Sequence, residues 1–277
     1  MESYVERPPL PALANVVRTV WIQRTGTTPY TQRHLPTGGV ELHFPLGGNP
    51  HLIGPLTGPK LELIPPNTTI IGARFHPGTP PPLPTVLDDL VDQRLSLIDL
   101  WRTSATHLAE TLAQATTPEH ALLSLQANLL HQFQSTAHVD PLITQAVKAL
   151  MPWHPVNINK LATDLTLSPS QLRRRCLQAV GMTPKVLQRT LRFQGFLALA
   201  QAGATPTGTQ GTDGTAGLAI DAGYADQAHL NRECLRLTGL TPRQLLGGTT
   251  NQCSCDHDHT ASYQPFLALR RSLSLPA

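Results

Sequence analysis

Two stretches decide the reading: LATDLTLSPSQLRRRCLQAVGMTP at residues 161–184 and LAIDAGYADQAHLNRECLRLTGLTP at residues 218–242. Leu161, Ala162 and Asp164 fall on Leu218, Ala219 and Asp221 at an offset of 57. One inserted residue later, Leu172, Arg174, Cys176, Leu177, Gly181, Thr183 and Pro184 fall on Leu230, Arg232, Cys234, Leu235, Gly239, Thr241 and Pro242. Ten identities within a unit of about two dozen residues make an internal repeat.

Each copy reads as helix, tight turn, helix. In the first, Leu161, Ala162 and Leu165 form one apolar face and Leu167 fills the turn. Ser168 is the expected N-cap of the next helix, with Pro169 at its first position and Gln171 completing a capping box. Leu172, Cys176 and Val180 then point inward, leaving Ser170, Gln171, Arg173 and Arg174 outside. In the second copy Gly223 supplies the turn and Asp226 the cap. Leu230 and Cys234 point inward there, and Gln227, Ala228, Asn231 and Arg232 outward. Outward Arg, Gln and Asn at a helix start suit a DNA major groove, because Arg pairs bidentately with guanine and Gln or Asn with adenine. A plain all-α domain with solvated helices is the competing reading for either copy alone, but repetition of the whole pattern favours DNA.

Charge divides along the chain in the same sense. Residues 1–140 hold 8 Lys+Arg against 11 Asp+Glu, a net of −3, whereas residues 141–249 hold 11 against 5, a net of +6. A basic part that meets a polyanion, behind a mildly acidic part that senses, fits this split. From Val16 to Phe75 short β-prone runs such as Val40–Phe44, Leu61–Leu63 and Thr69–Ile71 alternate with Pro/Gly/Asn turns. After the proline-rich run 77–84 the period becomes helical, over Leu97–Leu112 and Ala121–Phe133. The expected fold is α+β: a β-rich sandwich or barrel over 1–84 for sensing or oligomerisation, a helical bridge over 85–140, a tandem helix-turn-helix domain over 141–249, and a Cys/His-containing tail over 250–277.

The repeat region resembles the DNA-binding domain of AraC-type transcription regulators. Ala162–Gly181, with its Leu-Ser-Pro-Ser-Gln-Leu-Arg-Arg-Arg run, and Ala219–Leu246 carry the likeness. The resemblance implies that each second helix enters a successive major-groove segment on one DNA face. It also implies a long connecting helix, matched by Leu187–Ala202, with Arg189 and Arg192 suited to phosphate. The front half is similar to an N-terminal domain of uncharacterised function in one branch of that family, through Trp21, His34–Leu42, Ile53–Leu56 and Gly72–Thr79. Such domains are thought to be cupin-like, which implies a pocket without naming its ligand. Cys176 and Cys234 depart from the large aromatic usual at those inward positions, and Gly203–Gly217 is a longer, looser connection than usual. Both cysteines are expected as small buried hydrophobes.

Two other constellations carry metal-binding residue types. Cys253, Cys255, His257 and His259 alternate within seven residues and could close on zinc or copper, making a metal sensor or buffer the rival function. In the front half, His34, Glu41, His43, His51 and His76 do not follow the cupin metal order, since Glu41 precedes His43. Most of these histidines are expected to be solvated or hydrogen-bonded, and the pairing of His34 with the others to be accidental. The sequence has no P-loop, nucleophile elbow or GxGxxG run, so no enzyme is expected. The four cysteines form no disulfide framework, Met1–Tyr4 does not open a signal peptide, and no apolar run reaches membrane-spanning length, so a cytoplasmic protein is expected. Its expected partners are double-stranded DNA, a small-molecule or metal effector, a second copy of the chain and, for an activator, RNA polymerase; no membrane is expected.

Overall fold

Period-two alternation along the strands sorts the front half into an apolar face and a charged one. The computed structural model describes residues 3–136, 139–153, 156–203, 212–247 and 259–274. Its strands are β1 (Ser3–Arg7), β2 (Val17–Arg24), β3 (Tyr30–His34), β4 (Glu41–Pro45), β5 (His51–Ile53), β6 (Lys60–Ile64), β7 (Thr69–Phe75) and β8 (Arg94–Ser96). Six of them form one antiparallel sheet in the order β1-β2-β7-β4-β5-β8, and β3 pairs with β6 in a second. Val20 and Ile22 of β2, Leu42 and Phe44 of β4, Leu52 of β5, and Ile71, Ala73 and Phe75 of β7 share one core. The residues between them face the other way, Trp21, Glu41, His43 and His51 toward β3 and β6 and Arg74 toward β1. Gly72 is required on that face, since a Cβ there would lie 2.0 Å from the Trp21 ring.

The helices are α1 (Leu97–Trp101), α2 (Thr103–Ala113), α3 (Pro118–Thr136), α4 (Pro141–Leu150), α5 (Ile158–Asp164), α6 (Pro169–Val180), α7 (Pro184–Gly203), α8 (Thr212–Asp221), α9 (Gln227–Thr238), α10 (Pro242–Leu246) and α11 (Thr260–Ser274). Ala105, Leu108 and Leu112 of α2, and Ala121, Leu122, Leu125 and Leu129 of α3, recur at helical spacing and close over the apolar face of the large sheet. The segment expected as a bridge therefore shares the sheet's own core. The sheet also runs past the expected limit at residue 84, because β8 pairs with β5. Arg94, Leu95 and Ser96 are too short a strand to display alternation.

The expected tail contains α11. Tyr263, Phe266 and Leu267 give it an apolar stripe against α7, and its start lies on β1 and β2. Two arginines, Arg18 buried and Arg74 partly buried, tie these elements together. Arg18 of β2 donates from Nε to the Ser262 carbonyl at 2.6 Å and from Nη2 to Gln194 Oε1 of α7 at 3.0 Å. Its guanidinium lies 4.8 Å from the centre of the Phe266 ring, and burial lowers its pKa to about 10. Arg74 of β7 pairs with Glu41 at 2.8 Å and Glu6 at 2.9 Å, and donates to Ser262 Oγ at 2.5 Å. Burial works against charge on both carboxyls, but Arg74 outweighs it and holds them well below the usual range.

Removing the cation while leaving two buried carboxylates is costly. Arg74→Met is expected to lose about 3–5 kcal/mol of stability in urea unfolding at neutral pH. Because both carboxyls are depressed, the stability they contribute is present above their ordinary value of 4.5 and fades as pH falls below it. The gap between variant and parent should narrow in that acid range.

Candidate nucleic-acid interface

The two halves of the repeat fold alike down to single hydrogen bonds. In the first turn Leu165 N–H donates to Leu161 O, Thr166 N–H to Thr163 O and Leu167 N–H to Ala162 O. At the same offset in the second, Ala222 donates to Leu218, Gly223 to Ile220 and Tyr224 to Ala219. The turn demands positive φ, supplied by Gly223 at 79° and by Thr166 at 57°. A β-branched residue is strained there.

Caps then open the second helices. Ser168 Oγ accepts from Gln171 N and Gln171 Oε1 accepts from Ser168 N, completing the expected box with Pro169 in the first turn. Asp226 accepts from His229 N at 2.6 Å to start α9. Both helices end on left-handed glycines, Gly181 and Gly239. Leu172, Cys176 and Val180 are buried in α6, and Leu230, Cys234 and Leu237 in α9. Burial pushes both thiols up to about 12, so they stay protonated and behave as small apolar groups.

Ser170, Gln171, Arg173 and Arg174 are exposed on α6; Gln227, Ala228 and Arg232 are exposed on α9, and Asn231 is half-buried there. Gln171 has its carbonyl oxygen committed to the cap, leaving its amide donors. Arg175 leaves this face to pair with Asp140 at the start of α4, at 2.6 Å. Arg189 of α7 makes a two-pronged pair with Glu233 of α9, at 2.8 and 3.0 Å. Its fork braces the second unit on the connecting helix. Arg192 lies over the Tyr224 ring at 5.8 Å from its centre.

The opposite ends of both exposed helices rest on the front domain. A Cβ at Gly181 would come within 2.8 Å of the Leu87 carbonyl oxygen. Arg33 of β3 donates to the Thr238 carbonyl at 2.6 Å, placing a cation at the negative end of α9. The N-terminal half of each helix, where the Arg, Gln and Asn side chains stand, lies away from these contacts.

These features coincide with known sequence families. Residues 161–247 match the model of a helix-turn-helix domain, and residues 5–96 match a domain of unknown function, DUF6597. The chain carries an AraC-type helix-turn-helix domain. Over 111 residues it is 31% identical to the HTH-type transcriptional regulator VirS of Mycobacterium tuberculosis, in strain CDC 1551 / Oshkosh and in strain ATCC 25618 / H37Rv alike. That stretch is 40% of this chain and spans 30% of the length of VirS. Looser likenesses run to solved ToxT structures from Vibrio cholerae. An apo variant from strain SCE256 gives a TM-score of 0.46 at 10% identity, covering 87% of this chain and 99% of that one. A second ToxT structure gives 0.44 at 9%, covering 89% and 98%.

Outside the AraC-type domain, His34, His51 and His76 are hydrogen-bonded as expected, but three of the front-half histidines stand closer together than the sequence suggests. His34, His43 and His51 are buried and adjacent, with ring centres 5.2 Å apart for His34–His43 and 4.9 Å for His43–His51. Burial lowers His43 to about 4, leaving its ring neutral. Register accounts for this clustering: His43 and His51 are direct cross-strand partners, and β3 crosses the same face. His76 stands apart, its Nε2 3.2 Å from the Ala14 carbonyl. Cys253, Cys255 and His257 lie outside the described residues. His259 is within them, and its Nδ1 sits 3.3 Å from Glu6 Oε1. No helix among the described residues is long and apolar enough to cross a membrane.

The strained turn offers a check on the repeat. Thr166→Gly, which copies Gly223, should raise the stability of the first unit by about 1 kcal/mol in thermal unfolding. It should leave the choice of DNA sequence unchanged.

Proposed function

We propose that this chain is a cytoplasmic, sequence-specific transcription regulator that reads double-stranded DNA with α6 and α9 in successive major-groove segments. The observation that carries the reading is the duplicated turn and cap. It presents two helix N-termini bearing Arg, Gln and Asn from an AraC-type domain, with their C-terminal ends held elsewhere. Side chains at such N-termini reach base edges. Ser170, Gln171, Arg173 and Arg174 read one segment, and Gln227, Ala228, Asn231 and Arg232 the other. Arg192 reaches phosphate, while Arg189 sets the pitch of α9 through Glu233 and adds positive field beside the backbone. The front domain receives the signal, and the role requires no catalysis of its own.

Arg173→Ala and Asn231→Ala should each cost on the order of 1–3 kcal/mol on the selected sequence and relax preference at a few base pairs. Arg192→Ala should weaken specific and non-specific DNA alike and flatten the salt dependence. Quantitative gel shifts over a salt series separate the two classes. Unchanged sequence preference in folded variants of both helices would refute the reading.

A further inference from the structure

The buried histidines form a group that the reading of DNA does not use. Two overlapping triads, His34–Glu41–His43 and His43–His51–Glu62, each hold their candidate donor atoms within 4.8 Å of one another. His43 belongs to both. It is 2% exposed, and neither of its ring nitrogens has a hydrogen-bond partner. Its Nε2 lies 3.5 Å from Glu41 Oε2, an ion-pair separation without a directed hydrogen bond. His51 Nε2 is likewise buried without a directed hydrogen bond, 3.4 Å from Glu62 Oε1. A buried polar group left in this state costs free energy unless something else occupies its lone pair.

Each surrounding residue contributes. His34 Nε2 stands 2.9 Å from Glu62 Oε2, so the Glu62 carboxylate is flanked by His34 and His51. The Trp21 ring meets His43 edge-on at 4.7 Å between centres, which walls the cluster from water on that side. Glu41 is already paired with Arg74, so Glu62 is the freer anion. Arg94 approaches Glu62 at 3.2 Å and His51 Nδ1 at 3.1 Å, and its side chain is half-exposed and able to withdraw.

We propose that His34, His43, His51 and Glu62 bind one divalent transition-metal ion of the zinc class. Neutral imidazoles and one carboxylate are the donors such an ion takes, and four of them complete a tetrahedral shell. Zinc–nitrogen bonds of about 2.0–2.1 Å put donors roughly 3.3 Å apart, so the side chains draw inward by rotamer-scale movements. His51 ligates through Nε2 as Arg94 releases Nδ1. The site lies beside the DNA-binding domain, because the strand carrying His34 also carries Arg33, bonded to Thr238, and leads to Pro36, whose carbonyl accepts from Gln194 of α7. This names a signal for the proposed sensor; its regulatory meaning rests on that reading, and the binding itself does not.

The test is a zinc titration of the full chain carrying Cys253→Ser and Cys255→Ser, which removes competing thiolates. It is compared with the same protein bearing His43→Leu or Glu62→Gln. His43→Leu replaces a ring that makes no hydrogen bond, and Glu62→Gln keeps the shape of the carboxylate, so a fold lost in one variant leaves the other to report. The parent should bind about one equivalent and gain thermal stability with zinc, and both variants should lose more than about tenfold in affinity. No binding by the parent, or equal binding by parent and folded variants, overturns the site. Gel shifts run alongside keep the two readings apart: a protein that binds zinc but shows no DNA sequence preference retains the site and loses the regulator. One that selects DNA but binds no zinc does the reverse.

Discussion

Helix α7 belongs to two cores at once, and the rest of the reading head depends on that constraint. Leu187, Leu191 and Ala198 are buried in the core of the first unit. Phe193, Phe196, Leu197 and Leu199 are buried in that of the second. Fully burying one such large side chain is worth roughly 1.5–3 kcal/mol, so turning one unit against the other would expose several at once. The units are therefore set at one mutual angle, and the Arg189–Glu233 pair adds a polar brace. The two surfaces proposed to read DNA are thereby held at one fixed spacing.

The third side of α7 faces the front domain. Gln194 accepts from Arg18 and donates to the Pro36 carbonyl, while Arg33 and the Leu87–Leu90 turn meet the C-terminal ends of α9 and α6. Helix α11 closes the same seam through Ser262, which takes hydrogen bonds from both Arg18 and Arg74. A change in β2, β3 or β7 thus has a short hydrogen-bonded path to α7 and α9. His34, His43, His51 and Glu62, the residues proposed to bind metal, stand on β3, β4, β5 and β6 of the same front domain.

The reading head was legible in the sequence because its signals are local. The capping box at Ser168 and Gln171, the glycines at 181, 223 and 239, and the inward Leu and Cys spacing each depend on neighbours within about one helical turn. What escaped depends on register between distant strands. Nothing local says that His43 lies opposite His51, or that β3 brings His34 over both. β8 was hidden by its length. Helix α11 did carry a sign, the spacing of Tyr263, Phe266 and Leu267, but the alternating cysteines and histidines just before it drew the whole segment into one tail. Arg189 shows the limit of reading charge alone, since its partner Glu233 is 44 residues away.

Two rigidly coupled helices are proposed to read one face of DNA. A hydroxyl-radical footprint of the full chain, on a duplex selected from random sequence, tests it most directly. The account predicts two protected segments whose centres lie about 10 base pairs apart on the same face. Protection confined to one groove segment, or two segments on opposite faces, would contradict it.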